Sequence, residues 1–546
     1  MLRDVRRPLQ PFVLLIALAG LFGGYVLQPP ALLAAGCEVT APAPGEERLP
    51  AEQRAALHVV RQLPLETKLG QLLMMGFVGT QPDAGLLDRA RRGHVGGFFL
   101  LGRNVRDAAQ VRDLTSQLAA AAADGSAGML PFVSTDFEGG TVNALRAITG
   151  TTPSASALAS GGVAGVEARG AQDAATLTSL GFNVNLAPVA DVLSTRSDVI
   201  GSRAFSSDAA VASALSRAYL RGLQKGNVIG VLKHFPGHGA TSGDSHLLLP
   251  QVTRSQQQLE ASDLQPYQQA IAAGEAQAVM VGHLLVTALD PEHPTSLSPA
   301  TIAGLLRDRL RFDGVVMTDE LKMAAIAGRY TPAQAAMMAV QAGVDVILAD
   351  YTRAEQDVVL QSLVRACLAG QVPAGRVEQS AARIMRLKLA HGLAGPEITS
   401  RYAAQLRALG GPAAGAVAGR AGATPAASAT PTVRPVELGG AALPPQPDGA
   451  AGRWYGQAGY GAAGSPKLEN EGDGEREDAP AWGYAIADSG SMSFWQSYAA
   501  LGGPARLGYP ISQRFELNGA TVQATQRALL QWDPERLTAA PMNVLE

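Results

Sequence analysis

The sequence predicts an α/β chain built on a (β/α)8 barrel, followed by a flexible linker and a small carboxy-terminal module. Three observations carry this expectation. Eight short apolar runs recur between residues 62 and 395, amphipathic stretches of 12 to 20 residues separate them, and beyond about residue 405 the composition turns to Ala, Gly and Pro. Near-continuous apolar strands alternating with helices indicate a parallel sheet buried on both faces. Eight such units in roughly 330 residues match the usual size of a closed barrel. An open doubly wound sheet is the rival arrangement, because one sequence does not fix the strand count.

The runs are LMMGFVG from Leu73, VGGFFLL from Val95, PFVSTDF from Pro131, FNVNLAP from Phe182, VIGVLKHF from Val228, AVMVGHLL from Ala278, GVVMTDE from Gly314 and VDVILAD from Val344. Between them, DAAQVRDLTSQLAAAAADG, DAAVASALSRAYLRGLQKG and RAEQDVVLQSLVRACLAG place apolar residues at helical spacing and end at or near Gly, a common helix stop. After the barrel, GPAAGAVAGRAGATPAASATPTVRP and the acidic LENEGDGEREDAP lack the apolar periodicity that would offset the entropy of ordering. The predicted division is therefore an address segment at 1–36, a short linker at 37–61, the barrel at 62–395, a linker at 396–480 and a module at 481–546. That last piece regains Trp482, Phe494, Trp495, Tyr509 and Trp532, enough for its own small core.

At 546 residues the chain has room for two to four domains at about 150 residues each. A formal charge of −3 removes the compositional case for a nucleic-acid partner. At the amino terminus, Arg3, Arg6 and Arg7 precede the uncharged run PFVLLIALAGLFGGYVL, the order of a signal sequence or short membrane anchor. Export, with membrane contact only through this segment, is the expectation. LAAGC ending at Cys37 resembles a bacterial lipoprotein processing box, which makes Cys37 a lipidation candidate. Arg6-Arg7 also hints at twin-arginine export, although the following residues fit that signal poorly. The second cysteine, Cys367, would then be a lone thiol packed on a helix.

In a parallel barrel, reactive side chains converge where strands end and loops begin. The polar residues of this chain cluster there. The third run ends in Asp136 and Glu138-Gly139-Gly140, the fifth in Lys233-His234, the sixth carries His283, the seventh ends in Asp319 and the eighth in Asp350. Three of the eight histidines fall within KHFPGHGATSGDSH, beside one of only six lysines in the chain. Lys233 at a strand end would be a costly burial unless paired with an acid, so it is read as a ligand-directed hydrogen-bond donor held by an acid, or else as half of a structural ion pair. No HExxH, cysteine pair or nucleotide loop accompanies these residues, so neither a metal nor a cofactor is expected.

KHFPGHG from Lys233, DSH from Asp244, MTDELKM from Met317 and TDFEGG upstream resemble glycoside hydrolase family 3, and within it the single-barrel β-N-acetylglucosaminidases. NVNLAPVADV from Asn183 and GSRAF from Gly201 follow the family's order, and the resemblance spans residues 62 to about 395. It implies Asp319 as nucleophile, His246 as general acid/base and Asp244 as its orienting partner. It also implies Asp136, Arg203, Lys233 and His234 as the groups holding the terminal sugar. The chemistry suits those residue types. A glycosidic bond breaks through a cation-like transition state, which needs a carboxylate on one face and a proton donor on the other. A histidine near pKa 6.5 oriented by an acid can serve as that donor. Where the family commonly carries an Arg, eight residues after Asp136, this chain has Ala144, so Arg146 is the candidate replacement and His283 a further candidate contact.

The implied function is a retaining exo-hydrolase that releases β-linked N-acetylglucosamine from peptidoglycan fragments or chito-oligosaccharides. A β-glucosidase, a glycosyl phosphorylase and a non-catalytic surface glycan-binding protein remain the alternatives. Larger family members, often β-glucosidases, place their acid in a second domain after the barrel; here a linker follows. The end of the chain, around GGPARLGYPIS, resembles the LGFP-type repeats of secreted bacterial proteins, which implies cell-wall association.

Overall fold

The computed structural model describes residue 42, residues 45–125, 128–241 and 243–411, and several carboxy-terminal strands. Each of the eight apolar runs forms a barrel strand: β1 Leu73–Met75, β2 Gly97–Phe99, β3 Phe132–Thr135, β4 Val184–Asn185, β5 Ile229–Phe235, β6 Ala278–Val281, β7 Val315–Thr318 and β8 Ile347–Ala349. All pair in parallel, in the order β7-β6-β5-β4-β3-β2-β1-β8. A parallel bridge between Met317 and Val346, with Thr318 donating to the Val346 carbonyl at 3.0 Å, joins the ends of that order. The barrel closes, and the open-sheet rival is set aside.

The strands are short because both faces are covered. β5, for example, is buried at all seven positions, and Phe98 of β2, Phe132 of β3 and Phe235 of β5 are among the largest fully buried side chains. Helices on the outer ring start where the sequence supplies a cap. Asp107 accepts from the Gln110 amide at 2.8 Å and Asp208 from Ala210 and Val211, while Thr331/Gln334 and Thr352/Glu355 form capping boxes.

One helix lies beyond each end of the barrel limits that the sequence suggests, at 51–61 and at 396–408. α1, Ala51–Arg61, and α2, Leu65–Gln71, precede the first strand, and Ala55, Ala56, Val59 and Val60 of α1 are fully buried. α1 packs on α3, Ala374–Ala390, and on α4, Pro396–Ala408, whose Ile398, Tyr402 and Leu406 recur at i, i+4, i+8. That single apolar stripe is hidden in an otherwise polar segment, which is why 37–61 and 396 onward read as linker. Arg61 fixes the corner by bonding Glu46 at 2.5 Å and Glu378 at 3.1 Å.

At the amino-terminal end of the strands, Lys388 of α3 is fully buried. Its Nζ donates to Gln71 Oε1 at 2.7 Å and to the Gly96 carbonyl at 2.9 Å, and lies 4.8 Å from the Phe132 ring centroid. Burial pushes this amine down to about 7. It seals the end of the barrel opposite the candidate site.

Cys367 is fully buried on the helix Arg353–Leu368 and is disulfide-bonded; the lone thiol is the expectation for a chain whose Cys37 is modified or removed. Cys37, the apolar run at 11–27 and the linker lie outside the described residues. Among the described residues no helix is long and apolar enough to cross a membrane. In the carboxy-terminal part, Gly452–Gly456 pairs antiparallel with Gly483–Ala487, and Phe515–Leu517, Ala520–Ala524, Leu529–Asp533 and Thr538–Pro541 form a four-stranded antiparallel sheet.

Candidate active site

The polar ends of β3, β5 and β7 meet at the carboxy-terminal mouth of the barrel. Lys233 near the end of β5 is 3% exposed, so its charge must be balanced locally. Asp136 Oδ1 and Glu138 Oε1 each lie 2.6 Å from its Nζ. Glu138 in turn accepts a two-point bond from Arg203, Nε at 2.7 Å and Nη2 at 2.8 Å. Burial would raise the Glu138 carboxyl, but the charges of Arg203 and Lys233 outweigh it and hold it below its ordinary range. Burial would likewise lower Lys233, and Asp136 and Glu138 reverse that. The result is a chain of contacts, Asp136–Lys233–Glu138–Arg203, lying along one wall.

The loop geometry around Glu138 depends on glycine. Gly139 has φ of +90°, and a Cβ there would meet the Pro153 carbonyl oxygen at 2.1 Å. Phe137–Gly139 pairs with Val142–Asn143 as a small hairpin, and Ala144 donates its amide to the Asp136 carbonyl at 2.9 Å. Arg146 begins the short helix after that hairpin, exposed, with Nη2 donating to the Gly140 carbonyl at 2.7 Å. It sits on the rim of the Asp136 loop.

His234 is oriented by Asp191, a fully buried carboxylate that the sequence reading left without a role. Asp191 Oδ2 is 2.7 Å from His234 Nδ1, and Oδ1 accepts from the backbone amides of His234 at 3.2 Å and His238 at 2.7 Å. Burial would raise Asp191, but His234 and His238 keep it below its ordinary value. With Nδ1 engaged, Nε2 is the ring nitrogen of His234 left for a ligand. The signal for Asp191 was a single charge closing the apolar stretch NLAPVAD.

The loop after β5 carries Asp244 and His246. His246 Nδ1 lies 2.8 Å from Asp244 Oδ1, and the same oxygen accepts the His246 backbone amide at 2.9 Å. Partial burial would lower the imidazole; the bond to and charge of Asp244, and then the charge of Asp319, carry it above its ordinary value. Asp319 follows β7, its Oδ1 accepting the Glu320 amide at 2.8 Å. Burial would raise it, but His234, that amide and Lys233 hold it well below the carboxylate range. Asp319 therefore stays ionised, in the field of both His246 and the lysine wall.

His283 is not a ligand-facing group. It is fully buried, with Nδ1 2.7 Å from Ser296 Oγ and Nε2 2.9 Å from the Glu320 carbonyl. Burial holds it below its ordinary pKa, so the neutral ring donates from Nε2 to Glu320 and accepts at Nδ1 from Ser296. It braces the backbone just beyond Asp319. Glu320 itself is buried, pushed up to about 7 by burial, and its Oε1 accepts the Asp350 amide at 2.8 Å, tying β7 to β8. Asp350 is paired with Arg103. Among the described residues no group of three or more His, Cys, Asp or Glu is arranged to hold a metal ion.

An ionised carboxylate, an acid-oriented imidazole and a charged wall of hydrogen-bonding groups are together suited to breaking an acetal. Comparison with known proteins agrees in class. The β-hexosaminidase LpqI of Mycobacterium tuberculosis is 39% identical over 337 residues, 59% of this chain and 82% of that protein. The β-hexosaminidase of Methylococcus capsulatus is 36% identical over 274 residues, 49% of this chain and 79% of that protein. A glycoside hydrolase family 3 β-N-acetylglucosaminidase from Paenibacillus sp. str. FPU-7 superposes with a TM-score of 0.59 at 34% identity, covering 63% of this chain and 68% of that one. The solved structure of M. tuberculosis LpqI gives a TM-score of 0.56 at 36% identity, over 61% of this chain and 96% of that one. The family described as glycosyl hydrolase family 3 N terminal domain matches residues 64–387. The chain is a glycosidase and belongs to glycosyl hydrolase family 3.

Proposed function

We propose that the protein is a retaining exo-β-N-acetylglucosaminidase acting at the non-reducing end of peptidoglycan fragments or chito-oligosaccharides. The observation that carries this reading is the electrostatic pairing of an ionised Asp319 with an Asp244-bound His246 whose pKa is raised. Asp319 attacks the anomeric carbon while protonated His246 gives its proton to the departing oxygen; Asp244 holds the ring and stabilises its cationic form. Neutral His246 then takes a proton from water, which opens the glycosyl-Asp319 ester. Asp136, Lys233, Arg203 and His234 hold the terminal sugar, with Glu138 keeping the two cations in place and Arg146 at the rim. The sugar assignment rests on the relatives, which are named β-hexosaminidases and a β-N-acetylglucosaminidase.

In this reading the amino-terminal segment exports the chain, and the LGFP-like module brings it to the cell wall. The test is turnover of a panel of aryl glycosides by residues 45–546, with products analysed in the presence and absence of phosphate. Release of free N-acetylglucosamine in both conditions supports the proposal. A sugar phosphate as product makes the protein a phosphorylase, a preference for aryl β-glucoside makes it a glucosidase, and binding without turnover rejects catalysis.

A further inference from the structure

Ser245 stands between the two members of the acid dyad, yet it faces the other way. It is 2% exposed, whereas the side chains of Asp244 and His246 beside it are 32% and 43% exposed. Its Oγ lies 3.4 Å from His238 Nε2, and its carbonyl accepts the Ala325 amide at 3.3 Å. His238 is itself fastened, through its backbone amide, to the Asp191 carboxylate that orients His234. Ala325 belongs to the short helix Ala324–Ala327, six residues beyond Asp319. One buried serine thus reaches both walls of the mouth, the sugar-holding side and the nucleophile side.

Three amides of this segment bond within it. The amides of Leu247 and Leu248 both close on the Asp244 carbonyl at 3.0 Å, and the His246 amide closes on Asp244 Oδ1. Leu247 and Leu248 are 61% and 52% exposed, so their side chains give the loop little packing. The dyad is therefore internally rigid, but its place over the mouth depends on outside ties. Misplacing a catalytic group by about 1 Å costs on the order of 100-fold in rate.

We propose that Ser245 is a positioning residue that anchors the proton-donor loop through its hydroxyl to His238 and its carbonyl to Ala325. The proposal rests on the reading of His246 as the acid. A positioning defect of the donor must show in the dependence on leaving group, which a general loss of folded protein would not produce.

The test compares kcat/KM of wild type and Ser245→Ala on N-acetyl-β-glucosaminyl fluoride, whose leaving group needs little proton assistance, and on N,N′-diacetylchitobiose, which needs it. The expected result is a loss of about tenfold or more on the disaccharide and a change within about twofold on the fluoride. Equal losses on both substrates, or no loss on either, overturn the proposal. Thermal unfolding of the two proteins checks that the same folded state is compared. Wild type inert toward both compounds refutes the hexosaminidase reading instead, which separates the two failures.

Discussion

Asp244 Oδ1 accepts two hydrogen bonds from His246, one from the ring Nδ1 at 2.8 Å and one from the backbone amide at 2.9 Å. A single carboxylate oxygen thereby fixes both the tautomer and the direction of the imidazole, leaving Nε2 as the atom that carries the exchangeable proton. The arrangement also sets when that proton is present. The His246 pKa is raised, so the acid form persists above the ordinary histidine range and is lost only as pH rises through the elevated value.

The pH profile of kcat/KM should therefore fall on its alkaline side at the His246 pKa, above about 6.5. Asp319 is held below the carboxylate range, so its protonation sets in only at low pH. In Asp244→Asn the larger part of the upward push disappears, while the smaller push from Asp319 and the effect of burial remain. The alkaline limb should move to lower pH by on the order of one unit, with turnover of a disaccharide down by about 100-fold or more. An unmoved limb would remove Asp244 from the role given to it.

Glu138 lies between two buried cations, bonded to Arg203 and Lys233. Glu138→Ala leaves both without their shared partner, a change that costs about 3–5 kcal/mol in buried networks. Urea unfolding should show that loss. Glu138→Gln, which keeps the shape and part of the hydrogen bonding, should lose less stability while raising KM.

Lys388 makes a stability prediction far from the chemistry. Its folded pKa is lowered to about 7 by burial, against about 10.4 in an unfolded chain. Between those values the unfolded state binds more protons, so this group makes stability rise with pH. Lys388→Met removes that contribution. Unfolding free energies at pH 7 and 9.5 should differ less in the variant than in wild type.

Cys367 is disulfide-bonded, and the chain has one other cysteine, Cys37. A sulfur carrying a lipid thioether cannot also form a disulfide. Intact mass of protein isolated from its producing cells, without reductant, should be two hydrogens below the mass of the fully reduced chain and should rise by that amount on reduction.

The barrel was legible in the sequence because each strand is a short apolar run bounded by polar residues, and all eight became strands. Lys233 and His234 stood out as polar residues inside an apolar run. Asp319 stood out as the charge closing VVMT. Asp191 did not, and Glu138 and His238 stood in recognisable motifs without their pairings showing, since their importance lies in partners 43 residues or more away that only the closed barrel brings near. His283 misled for the same reason: at a strand end it resembles a ligand, yet Ser296 and Glu320 occupy both ring nitrogens. The helix Pro396–Ala408 was hidden because its burial is one narrow stripe beside a long Ala- and Gly-rich tract.

The covalent step is the center of the proposed mechanism, and it is directly observable. Incubation with a fluorinated N-acetylglucosaminyl fluoride that forms the glycosyl-enzyme quickly and hydrolyses slowly, followed by intact mass and peptide mapping, should place one sugar on Asp319. A sugar on another side chain, or turnover of the reagent with inversion and no adduct, would contradict the account.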